Sequence, residues 1–128
     1  MHDPRITVHG FVTGEEKERL YGQAHVLIAP SIDEGFGRTP AEAMARHRLA
    51  LTSDIPAFRE YVPDACRFSL DDPGSLVRLF NSLDAGRYAE LVAQGAGVRQ
   101  QFGVEAHIRA HRELFQRMAD AAQAPSTR

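Results

Sequence analysis

A chain of 128 residues, 43% apolar and 25% charged, has the size and make-up of one soluble globular domain. Its net charge of −2 argues against nucleic acid or an anionic membrane as the main partner, because both reward a strong positive excess. A single cysteine, Cys66, excludes an internal disulfide and a cysteine metal cluster, and points to a reducing, cytoplasmic setting.

The opening "MHDPRITVHG" has no apolar h-region, and the longest apolar stretch, residues 26–30, is too short to cross a bilayer. Short apolar runs then alternate with helical patterns, the signature of βα units in a mostly parallel sheet. "ITVHG" reads as a first strand over residues 6–9, ending at Gly10. "TGEEKERLYGQA" reads as a helix with Thr13 and Glu16 spaced as a capping box. "HVLIAPS" is a strand whose continuous apolar run suits a sheet covered on both faces. After a glycine-containing loop comes a helix from about Pro40 to His47, then the strand "LALTS", a helical turn in "DIPAFREYV" and an edge strand in "CRFSL".

The remainder is helical. Asp72 and Pro73 fit the N-cap and first residue of a helix. Leu76, Val77, Leu79, Phe80 and Leu83 form its apolar stripe; Tyr88, Leu91 and Val92 mark another helix. Val104, Ile108, Leu114, Phe115 and Met118 line the face of a last one, and all these faces are expected in the core or as docking surfaces. Residues 1–120 are expected to form the domain and residues 121–128, "AAQAPSTR", a flexible tail.

The stretch "APSIDEGFGRTPAEAM" places Glu34 and Glu42 eight positions apart around a Gly-Phe-Gly turn. Ligands of open α/β sheets bind where a strand hands over to a helix, which is where this loop lies. Gly35 and Gly37 permit positive φ and close approach of backbone to a ligand. Thr39 as N-cap and Pro40 as first residue would start a helix whose free N–H groups suit an anion. Two carboxylates beside an anion site make sense as acceptors for hydroxyls, such as those of a sugar or ribose. The competing reading is local: Thr39-x-x-Glu42 is itself a capping box, and Glu34 a solvated loop acid.

"HGFV", "LYGQAHVLIAPSIDEGFGRTPAEAMA" and "SDIPAFREYV" together resemble the nucleotide-sugar-binding half of retaining GT-B glycosyltransferases of the group 1 (family 4) type, whose Glu-x7-Glu signature Glu34 and Glu42 match. The resemblance runs from about Ile6 to Met118. It implies an α/β fold, an incomplete Rossmann-like domain forming part of half a GT-B enzyme. It also implies that Glu34 is catalytic and accepts hydrogen bonds from the donor sugar. Gly35, Phe36 and Gly37 would contact that sugar through backbone N–H groups, and Arg38 and Thr39 the diphosphate. Glu42 would bind the ribose, with Gly10, Phe11 and Val12 beside the nucleobase. The donor would be a nucleotide-diphosphate sugar, and neither a metal nor a cofactor is expected.

Where the family has glycine and then proline after this helix, the chain has His47 and Leu49; histidine tolerates a left-handed helix end better than most side chains. The family's first two βα units, with an arginine and a lysine for the phosphates, and its acceptor domain have no counterpart here. Lys17, the only lysine, falls on a polar helix face and is not expected to replace them. In a 3-2-1-4-5-6 sheet the strand at residues 6–9 would stand three spacings, roughly 14 Å, from the next one. Re-pairing of that strand, a partner chain supplying strands and the acceptor domain, or a homodimer through an exposed edge would close the gap.

His107 and His111 have chelating spacing but lack a third ligand, and Arg46, His47 and Arg48 make a small basic cluster beside the loop. The leading reading is the donor-binding portion of a glycosyltransferase, inactive alone. The alternatives are a non-catalytic nucleotide-sugar-binding remnant, and a plain interaction domain that keeps Glu42 only as a cap.

Overall fold

A computed structural model describes residues 3–123. The elements run α1 (Gly14–Gln23), β1 (Val26–Ala29), α2 (Arg38–Met44), β2 (Leu49–Ser53), α3 (Pro56–Arg59), a 3-10 turn (Asp64–Cys66) and β3 (Arg67–Phe68). Four helices follow: α4 (Pro73–Asn81), α5 (Ala85–Gly95), α6 (Val98–Phe102) and α7 (Val104–Gln123). The three strands form a parallel sheet in the order β1-β2-β3, with Val26 opposite Leu49 and Thr52 opposite Arg67. This is the α/β, incomplete Rossmann-like fold class expected from the alternating runs.

The core gathers around β2, all five residues of which are buried. Leu49 and Leu51 pack with Ala43 and Met44 of α2, Phe58 of α3 and Leu91 of α5. Ser53 donates its hydroxyl to the carbonyl of Ser31 and so ties the end of β2 to the loop after β1. Asp72 caps α4 as expected, its carboxylate accepting from the Gly74 N–H at 3.0 Å.

Residues 6–9 form no strand. A lone extended run leaves its N–H and C=O groups without ladder partners, and the neighbour this run would have in a 3-2-1-4-5-6 order is not among the strands present. It remains as irregular chain with Ile6 and Val8 exposed, and β1 is left as an edge.

Two apolar stripes also depart from expectation. Leu76, Leu79 and Leu83 pack on the core, but Val77 and Phe80 point outward, since α4 touches the sheet along a narrower stripe than its sequence offers. On α7, Ile108, Leu114, Phe115 and Met118 are exposed, because nothing among the described residues packs on that face. The helix reaches Gln123; the rest of the expected tail, residues 124–128, lies outside the described residues. No helix is long and apolar enough to cross a membrane among the described residues.

Candidate functional site

The loop after β1 is held from beneath. Gly37 is the N-cap of α2 in the left-handed region at φ 80°, and a Cβ there would lie 2.2 Å from Cε1 of the buried Phe58. Glycine is required at 37 by the packing of its own core. Gly35 has open space around it and no positive φ. The Phe36 ring turns inward and stacks on Tyr61 at 4.9 Å, with Phe102 5.2 Å away. The Tyr61 hydroxyl donates to the Gly37 carbonyl. Burial, helped by the negative charge of Glu34, pushes the Tyr61 pKa up to about 12, so the phenol keeps the proton that makes this bond.

Because α2 starts at Arg38, Thr39 lies inside the helix and is not its N-cap. Glu42 is therefore two residues past the capping-box position, which Pro40 occupies, and its carboxylate goes elsewhere. Lys17 of α1 donates to Glu42 Oε2 at 3.0 Å, and Arg38 stands 3.6 Å from Oε1. Burial opposes the charge on Glu42, but the Lys17 hydrogen bond and charge, with Arg38 adding to them, prevail and hold its carboxyl below the usual value.

This pair borders a cavity of about 670 Å³ between α1 and α2. Leu20 and Leu27 line its apolar wall, with Val12 and, at the rim, the exposed Phe11. Lys17, Arg38, Thr39 and Glu42 supply its polar side. An apolar wall facing a carboxylate and two cations suits a ligand with a flat, weakly polar part, hydroxyls and negative charge.

Arginines join the two helices. Arg46 of the turn after α2 bonds Glu18 of α1 and lies over the Tyr21 ring at 4.7 Å. Arg48 donates to the Tyr21 and Gly22 carbonyls, which α1 leaves free at its C-terminal end. The basic cluster is thus structural. Between these arginines His47 adopts φ 55°, with its N–H bonded to the Met44 carbonyl and that of Arg48 to Ala43, a Schellman ending that usually takes glycine.

The structure brings Glu42, Arg38 and Thr39 together with Phe11 and Val12, but not with Glu34. That residue sits on the exposed loop and accepts a hydrogen bond from Ser31 Oγ at 2.9 Å, outside the cavity lining. Gly10, at φ 66°, turns the chain into the cavity wall without lining it. His107 and His111 lie with ring centroids 4.1 Å apart, and among the described residues no group of three or more His, Cys, Asp or Glu is placed to hold a metal. Lys17, which the sequence reading placed on a polar helix face away from the site, instead lines the cavity and pairs with Glu42. Its spacing to Leu20, Tyr21 and Ala24 marks one helical stripe, which is the signal that could have placed it on the inward face.

The "Glycosyl transferases group 1" family model matches residues 1–94. The O-antigen chain mannosyltransferase RfbU of Salmonella typhimurium is 41% identical over 64 residues, 50% of this chain and 18% of that protein. The O-antigen biosynthesis glycosyltransferase WclY of Escherichia coli is 34% identical over 64 residues, covering 49% of this chain and 18% of WclY. A protein named mycothiol acetyltransferase, from Thermobispora bispora, is 31% identical over 84 residues, 66% of this chain and 28% of its own length. The chain thus spans less than a fifth of the two O-antigen relatives. No solved structure matches it. With the family model covering most of the chain, this protein belongs to the group 1 glycosyl transferases.

Proposed function

We propose that the chain is the donor-binding portion of a retaining, metal-independent glycosyltransferase whose donor is a nucleotide-diphosphate sugar. The observation that carries this reading is a Glu42 carboxylate held ionised beside an apolar wall and two cations. In this reading the base lies on Phe11 and Val12 past the Gly10 turn, and the ribose hydroxyls donate to Glu42. The diphosphate meets Arg38 and the backbone at Thr39; these fixed positive groups take the place of a metal ion in stabilising the leaving group. The donor sugar reaches the loop, where Glu34 is the catalytic carboxylate and Gly35, Phe36 and Gly37 offer backbone N–H groups.

Transfer takes place in the cytoplasm and needs a second wall to carry the acceptor. A partner chain or further domain supplies it, together with strands along the free edge of β1, or a homodimer forms through that edge. The isolated chain binds donor without turning it over. A second reading, a nucleotide-sugar-binding module with no transferase role, is favoured by the position of Glu34 outside the cavity.

Saturation-transfer NMR with UDP, GDP, UDP-glucose, UDP-N-acetylglucosamine and GDP-mannose tests the reading, the last because RfbU is named a mannosyltransferase. Wild type is expected to saturate base and ribose protons of at least one donor, Glu42→Gln to lose that signal, and Glu34→Ala to lose chiefly the hexose signal. Folded wild-type protein that gives no transfer to any of the five sinks the proposal. Base and ribose signals with a hexose signal indifferent to Glu34→Ala favour the module without turnover.

A further inference from the structure

We propose that the Lys17–Glu42 ion pair is an exchange lock that makes the cavity select nucleoside diphosphates against nucleosides. The inference rests on the donor-binding reading of the cavity. In the free protein both carboxylate oxygens of Glu42 face cations, Oε2 with Lys17 at 3.0 Å and Oε1 with Arg38 at 3.6 Å. The carboxylate that a ribose diol needs as acceptor is already occupied. A neutral diol that displaces the ammonium gives Lys17 nothing in return, and leaves a part-buried cation with only Glu18, already hydrogen-bonded by Arg46, as a counter-charge. A phosphate on the same ligand changes this exchange. The diol takes Glu42, the phosphate takes Lys17, and each charged group trades one charge-assisted or ionic contact for another.

The surroundings favour that trade. The cavity is lined by two cations and one carboxylate, an excess of one positive charge. Glu18 of α1 lies close enough to feel the Lys17 charge, but its carboxylate is hydrogen-bonded by Arg46 of the turn after α2, so it is a weaker counter-charge for Lys17 than Glu42 is. Lys17 and Glu42 are themselves only part-buried, with side chains 38% and 23% exposed, so the lock opens without exposing a core. The four-carbon stem of lysine lets the ammonium follow a phosphate while α1 stays in place.

The test is a calorimetric titration of wild type, Lys17→Met and Lys17→Arg with uridine, UDP, guanosine and GDP, with the proton spectrum of each protein as a check on folding. Wild type should prefer the diphosphate of its base over the nucleoside. Lys17→Met should lose about tenfold or more on the diphosphate, the worth of one charge-assisted hydrogen bond. It should gain roughly two- to fivefold on the nucleoside, because Glu42 is freed from a part-exposed pair. Lys17→Arg should keep most of the preference. A measurement on wild type alone gives the same sign: raising the salt should weaken diphosphate binding and strengthen nucleoside binding. Equal losses on both ligands in Lys17→Met, or no change on either, overturn the exchange while leaving donor binding intact. Wild type that binds neither diphosphate overturns the donor reading and the exchange with it.

Discussion

Residues 6–10 and Leu49–Ser53 are runs of equal length, and each opens on an aliphatic residue. In β2 every residue is buried between two parallel neighbours. In the earlier run Ile6 is 64% exposed and Val8 89%, with no ladder on either side. β1 lies between these extremes, with one neighbour and Ile28 half out in solvent. Strand character here comes from what flanks a run more than from its residues, because ladder bonds and cross-strand packing supply the stabilisation.

The contrast is most sharply tested by deletion of side chains. Leu51→Ala, at a position with no exposure, should cost about 2–5 kcal/mol in urea denaturation. Val8→Ala should stay within about 0.5 kcal/mol. A comparable loss at Val8 would mean that this run is buried in solution, against another copy or its own sheet, and the contrast would collapse.

A smaller effect separates two glycines that share left-handed backbone. At Gly37 an added methyl meets the Phe58 ring, and Gly37→Ala should cost about 2–4 kcal/mol through strain and overpacking together. At Gly10 nothing lies within 4 Å, so Gly10→Ala should cost only about 1 kcal/mol, from backbone conformation alone. Matched denaturation curves of the two variants decide this.

The smallest effect concerns the link between the two regions, where α1, which follows the unpaired run, meets α2 through Lys17 and Glu42. The Glu42 carboxyl is held below its usual value, so its contribution is present above the ordinary carboxylate range and is lost as pH falls through the lowered one. Between pH 7 and 3, Lys17→Met should flatten the acid limb of the stability profile, by less than about 1 kcal/mol. An unchanged acid limb would show that the pair does not couple the helices.

The same contrast explains what could be read from sequence. "LALTS" and "HVLIAPS" announced β2 and β1 because a continuous apolar run suits a sheet covered on both faces, whatever lies far away in sequence. "ITVHG" carries the same local signal, but its fate depended on a neighbour outside the run. The start of α2 was misplaced because its first cap is a glycine fixed by Phe58, twenty-one positions on, so the local Thr39-x-x-Glu42 grammar lost to a tertiary contact. Asp72 and Pro73 were legible since that cap is closed within its own turn. At the site, Glu42 was singled out from the sequence and Phe11 and Val12 through the resemblance, whereas Lys17 was set aside as a polar-face residue, because its partner lies twenty-five residues away.

The arginine contacts between α1 and α2 have one more consequence. Arg46 spans Glu18 and the Tyr21 ring while Arg48 holds the last carbonyls of α1, so the helices that wall the cavity are fastened at the same end from two directions. Each such surface contact is weak alone, but together they fix the width of the slot before anything enters it. A ligand then meets walls already in position and surrenders little of its binding free energy to ordering them. Preorganisation of this kind favours measurable affinity for a small molecule even where each contact to it is weak.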